Sequence, residues 1–191
     1  MPDTPAPALV PRSRSKRAED AASLCVSCGL CCDGTLFGFV PVTDHEAEQL
    51  KHRLPMLRDP ESGESTFSQS CVALGPGGCG VYEDRPVVCS SYKCSLLRRV
   101  NAGELDRDDG LDVVDRIRVL VGRLDAVLPP GKSFWPRTQE LRDTGEPNDD
   151  AGEEARRIFA ATLLDLNVLD RILETEIDER LGSIPEAAPA T

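Results

Sequence analysis

Eight cysteines fall between positions 25 and 94, and none lies outside that window. The first four read Cys25-x2-Cys28-x2-Cys31-Cys32. The others are Cys71, Cys79, Cys89 and Cys94, separated by seven, nine and four residues. Thiolates bind soft or borderline metal ions. Two cysteines with two residues between them can turn both sulfurs onto one ion, which is the recurring half-site of structural zinc. That step is taken twice in overlap here, and Gly29 permits the tight turn. Adjacent Cα atoms lie about 3.8 Å apart and their side chains diverge. Cys31 and Cys32 are therefore assigned to different ions, or to different corners of a polynuclear site.

Eight thiolates satisfy two four-coordinate ions without sharing. A pair of sites, each drawing on both halves of the pattern, would tie residues 25–32 to residues 71–94. Two divalent ions against eight thiolates leave a formal charge of roughly −4, which is costly in a dry interior. Arg85 and Lys93 lie beside ligands and can offset part of it. Backbone amides around Gly29, Gly77, Gly78 and Gly80 can donate to sulfur. An iron–sulfur cluster on Cys25, Cys28, Cys31 and a distant fourth ligand is the rival. The common ferredoxin run asks for three residues and then Cys-Pro after its third cysteine. Here Cys32-Asp33 follows, so that match fails and zinc is favoured over iron.

The double cysteine, the segment Cys79-Gly80-Val81-Tyr82-Glu83-Asp84-Arg85-Pro86-Val87-Val88-Cys89 and the Tyr92-x-Cys94 pair resemble the CxxCxxCC family of zinc- or iron-chelating proteins, also called YkgJ-type cysteine cluster proteins. The resemblance covers about residues 25–94. It implies metal chelation by the cysteines and leaves the metal open. Some relatives are linked to flagellin lysine methylation, which implies an enzyme role as an alternative. The residue after Cys89 is often arginine in the family and is Ser90 here, so one charge partner is lost.

Charge and composition exclude several classes. Net charge is −11, and residues 101–191 carry eleven basic against twenty-one acidic groups. An acidic half argues against wide contact with nucleic acid or anionic lipid, which need a basic face. No apolar run of about 18 residues is present to span a membrane. The N-terminus lacks the apolar centre and cleavage signature of a secretory peptide. A cytoplasmic location with reduced thiols is expected, and metal ligation is favoured over disulfides.

The elements that must hold the cysteines can be read in outline. Residues 1–22 hold four prolines and mixed charge and read as a disordered tail. Residues 36–42 read as extended. Thr43 and Glu46 form a capping box that starts a helix running to Leu54, where Pro55 stops it. Residues 56–65 read as a loop, and residues 66–74 with 80–82 as a short hairpin turning at residues 75–78. Asp84 and Pro86 offer a helix start for Cys89. Another helix follows from Ser95 and ends near Gly103. Apolar residues from Val113 to Leu128 recur at three- and four-residue spacing, giving a helix over 111–128. Residues 132–148 read as irregular, with one turn at 138–142. A last helical region spans 150–181, breaks at Asn167, and gives way to a loose tail over 183–191.

The expected fold is α+β, mostly α. A small irregular cysteine-rich domain with a short hairpin covers 24–100, and a helical C-terminal extension over 104–182 packs on it. The expected ligands are Cys25, Cys28, Cys31, Cys32, Cys71, Cys79, Cys89 and Cys94. Arg85 is read as a charge partner of the thiolates. Tyr82 either donates to a ligand sulfur or packs beside the hairpin. His45 and His52 read as surface residues, and Trp135 as a packing anchor. The expected function is chelation of zinc, or of iron, without catalysis. The alternatives are an iron–sulfur enzyme or electron carrier, and an adaptor whose acidic helices contact a protein partner.

Overall fold

The computed structural model describes residues 14–130, 134–144 and 152–178. Among them the chain is α+β and mostly helical, as the patterning predicts. The first helix, α1 (Arg14–Cys28), buries Ala21 and Leu24. Residues 21, 24 and 28 share one face at helical spacing. Residues 14–22, expected within a disordered tail, are thus helical, because that apolar spacing extends the helix back from the cysteines. Residues 1–13 and 183–191, read as tails, lie outside the described residues.

Phe39–Val42 (β1), Met56–Arg58 (β2) and Ser65–Ser68 (β3) form an antiparallel sheet in the order β1-β3-β2. Val40 and Met56 both stand in register with Phe67. The sheet is therefore organised on Phe67, which is buried with Val40 beneath it. Pro41, with no N–H to give, sits on an edge strand, where prolines are tolerated. The predicted hairpin is corrected by this arrangement. Residues 65–68 pair with β1 and β2, and the 56–65 loop contains a strand. The hairpin shrinks to Leu74–Gly75 (β4) and Gly78–Cys79 (β5), with Gly78 at φ +97 as its turn demands.

Between β1 and β2 lies α2 (Asp44–Leu50). Its capping box is present: the Glu46 N–H donates to Thr43 Oγ1 at 3.2 Å, and the Thr43 N–H donates to Glu46 Oε2 at 2.8 Å. The helix ends at Leu50 rather than Leu54, and a turn carries the chain on so that both leucines are buried.

Two short helices follow, α3 (Val87–Ser91) and α4 (Ser95–Ala102), the second closed by Gly103 at φ 81. The long helices are α5 (Arg107–Asp125) and α7 (Glu153–Ile172), with α6 (Phe134–Thr144) between them. The expected break at Asn167 does not occur. The stripe Leu166, Leu169, Leu173 and Ile177 stays buried on one side, and the chain holds that face inward through a π-helical turn at Leu173–Ile177.

Two apolar cores result. The larger gathers Leu24, Leu30, Leu36, Phe37, Leu96 and Val100 with the inward faces of α5 and α7. The smaller comprises Val40, Leu50, Leu54, Phe67 and Val88. Gly110 lets α5 come close to α1 and α4, since a Cβ there would lie 3.3 Å from Leu24 Cδ2. Residues 134–144, read as largely irregular, form α6 because Phe134 and Thr138 bury one face. Trp135 lies against Gly38, where a Cβ would stand 2.7 Å from the indole Cε3. Both groups are held by their neighbours, so Gly38→Ala should destabilise the protein by about 1–3 kcal/mol through overpacking. Urea unfolding would read this as a lower midpoint with an unchanged slope.

Candidate metal centre

All eight cysteines are free thiols. Each half of the pattern is delivered by a separate piece of local structure. Cys25 and Cys28 sit one turn apart at the end of α1. Gly29, at φ +62, reverses the chain there, and the Cys32 N–H donates to its carbonyl at 2.8 Å. Leu30 then turns into the larger core at 1% exposure. The Cys71 N–H donates to the Cys32 carbonyl at 2.7 Å, which joins the first quartet to the second through backbone. Cys79 stands at the end of β5. Cys89 lies within α3, and Cys94 caps α4 with its own sulfur, which accepts from the Leu97 N–H at 3.4 Å.

These pieces converge. Cys25, Cys31, Cys32, Cys71, Cys79 and Cys89 line one cavity of about 90 Å³. Phe37, Tyr82 and Tyr92 wall it, and the Phe37 and Tyr92 rings meet edge to face at 5.2 Å. Cys28, Cys31 and Cys94 pack against the larger core, while Cys71 packs against the smaller. Among the described residues, no three His, Cys, Asp or Glu side chains stand as a ready-made group for one ion. Six of the thiols line this cavity without any three of them meeting at one point. The cavity is lined by soft donors. Its chemistry fits an ion that draws the sulfurs in.

Electrostatics sorts the thiols further. Burial pushes Cys28 up to about 12, and nearby Cys94 and Cys25 add to the rise. Burial likewise pushes Cys32 up to about 12, here with Cys89, Cys71 and Cys79 as the neighbours. Cys89 also stands at about 12, through burial and then Cys71 and Cys79. Cys31 is raised by burial and by Cys28 and Cys94. Neutral thiols are the stable form without a cation, so metal uptake would have to displace their protons. Arg85 opposes the rise at both Cys25 and Cys89. Its guanidinium stacks on the Tyr82 ring at 3.9 Å, and both residues line the cavity. His45 and His52 are exposed on and just after α2.

Three positioning residues escaped the sequence reading. Glu46 Oε1 accepts from the Val87 N–H at 2.6 Å, so α3, which carries Cys89, is capped from α2 rather than by Asp84. Asp84 instead pairs with Arg53 at 2.8 Å, and Arg53 also donates to the Gly80 carbonyl at 2.6 Å. Arg118 on α5 donates to the carbonyls of Ser27 and Cys28 at 2.8 and 3.0 Å, closing the end of α1. No local spacing encodes these long-range contacts. The capping box did flag Glu46, but one of its carboxylate oxygens remained free for a second helix.

Glu46 gives a pH-dependent test. Partial burial works against its charge, yet the Val87 and Thr43 donors outweigh that and hold its pKa below the ordinary value. A depressed carboxylate contributes stability above its unfolded pKa and loses it as pH falls. Glu46→Ala should therefore cost about 1 kcal/mol at pH 7 after solvent screening. The gap in melting temperature between variant and wild type should close below about pH 4, as protonation removes the same interaction from the wild type.

No curated protein and no solved structure matches this chain. Residues 24–110, a span that holds all eight cysteines, match the model of the CxxCxxCC family, described as "Putative zinc- or iron-chelating domain".

Proposed function

We propose that the chain is a non-catalytic metal-binding protein that holds two ions through eight thiolates. One set is Cys25, Cys28, Cys31 and Cys94; the other is Cys32, Cys71, Cys79 and Cys89. The observation that carries this reading is that Cys25, Cys31 and Cys32 of the first quartet and Cys71, Cys79 and Cys89 of the second line one cavity, while Cys28 and Cys94 pack against the larger core. The sorting of neighbours supports the division. Cys28 and Cys31 feel the charge of Cys94, and Cys32 feels Cys89, Cys71 and Cys79 ahead of Cys25, while Cys25, which also feels Cys79, stands between the two groups. Cys31 and Cys32 thus fall in different sets, as diverging adjacent side chains require. When bound, the metal supplies a cross-link between distant segments, and Arg85 offsets part of the thiolate charge. Residues 24–100 serve as the metal-binding unit and residues 104–182 as a helical extension that buttresses it. A reducing compartment such as the cytoplasm keeps the thiols competent.

Zinc is the preferred ion, because four-thiolate tetrahedra are its usual structural environment. Elemental analysis and an absorption spectrum on protein purified without oxygen test this. The expected result is two zinc ions per chain and no visible band. Iron with absorption near roughly 400 nm would replace zinc by an iron–sulfur centre. Protein that carries no metal and takes up neither zinc nor ferrous iron would overturn the reading.

A further inference from the structure

A second cavity, of about 360 Å³, opens beside the thiol cluster. Cys25 and Cys89, the two exposed thiols of the eight, line both cavities. Among the described residues the charged groups of the second cavity are Arg85, Lys93 and Arg98, and no carboxylate lines it. In a chain of net charge −11, an all-cationic pocket runs against composition. Arg85 stacks on Tyr82 rather than pairing with a carboxylate. Lys93 makes no ion pair among the described residues. Arg98 is steadied from outside the pocket by Asp178 at 3.2 Å and by the Lys93 carbonyl at 2.6 Å. Asn101 adds an amide, and Leu97 adds an apolar wall.

We propose that this cavity binds a small polycarboxylate. Three cations on one concave surface, of which Arg98 alone has a carboxylate partner among the described residues, call for more than one negative group, and guanidinium forks match carboxylates in geometry. The volume lies in the range of small-molecule sites. The apolar wall gives a carbon skeleton somewhere to rest. A carboxylate held by Arg85 lies next to Cys25 and Cys89, on the side from which solvent reaches the thiols. The inference rests on the proposed metal reading for the importance of that neighbourhood, but the binding itself does not require metal.

The test is calorimetric titration of the full chain, as purified, with tricarballylate, a tricarboxylate that chelates metals weakly. Metal content is measured before and after. Saturable binding is expected, weakened at least about tenfold by Lys93→Glu, because reversal replaces attraction by repulsion at short range. Lys51→Glu makes the same change of net charge at an exposed residue that does not line the cavity and should leave binding within about twofold. Lys93→Gln, expected to weaken binding by about threefold, serves if the reversal fails to fold. The inference is overturned by absence of binding to folded protein. It is equally overturned by Lys51→Glu weakening binding as much as Lys93→Glu, or by inorganic phosphate binding as tightly as tricarballylate. Binding to a chain that holds no metal and takes none up would uphold the cavity and sink the metal reading. Metal without binding would do the reverse.

Discussion

Removal of metal under reducing conditions is expected to melt the sheet side of the molecule and leave the long helices folded. The asymmetry follows from the two cores. The helical core draws on α1, α4, α5 and α7 and contains eighteen buried residues. The sheet-side core contains five, Val40, Leu50, Leu54, Phe67 and Val88. At about 1.5–3 kcal/mol for each fully buried large side chain, five residues do not offset the ordering of the segment from Phe39 to Ser91. On the proposed reading the missing free energy comes from the ions, and structural zinc contributes on the order of 10 kcal/mol at neutral pH. Hydrogen exchange on metal-loaded and stripped protein would show it. Amides of β1, β3 and α3 should lose protection by about a thousandfold or more. Those of α5 and α7 should change by less than about tenfold. Uniform loss across both regions would mean that one cooperative unit, and not two unequal cores, depends on the metal.

A truncation far from any cysteine should have the next largest effect. Leu169 lies on α7 with 0% exposure, in the same core against which Cys28, Cys31 and Cys94 pack. Leu169→Ala leaves a cavity that packed helices cannot fill, and should cost about 3 kcal/mol. If the thiols divide as proposed, the damage is selective. Release of metal to a competing chelator should become biphasic, with one ion leaving about tenfold faster and the other at the wild-type rate. A variant that loses both ions at one accelerated rate would show a single shared centre.

The cysteine pattern marked the candidate centre in advance, because residue type and short spacing are local features of the sequence. The capping box of Thr43 and Glu46 and the stop at Gly103 were equally readable, since both are local hydrogen-bonding motifs. The apolar period of α5 was visible in the spacing from Val113 to Leu128, although within that span Val114 is fully buried and Val127 is 51% exposed. Long-range pairing was not legible. Nothing within residues 65–68 announces that Phe67 will stand between Val40 and Met56 rather than face residues 80–82. The helix that carries Cys25 and Cys28 was hidden by the prolines before it, although Ala21, Leu24 and Cys28 already marked one face. Asn167 reads as a cap when α7 is taken alone. In the fold, the buried stripe of Leu166, Leu169 and Leu173 overrides that local preference. Arg118 and the second bond of Glu46 belong to the same class: they position cysteines from helices distant in sequence.

Native mass spectrometry of paired serine variants tests the division of the thiols most directly. The wild type should carry two ions. Cys28→Ser with Cys94→Ser should keep one, as should Cys71→Ser with Cys89→Ser, because each pair empties a single set. Cys28→Ser with Cys71→Ser, which breaks both sets, should keep none. Loss of all metal from either within-set pair, or retention of an ion by the crossed pair, would contradict the two-set centre.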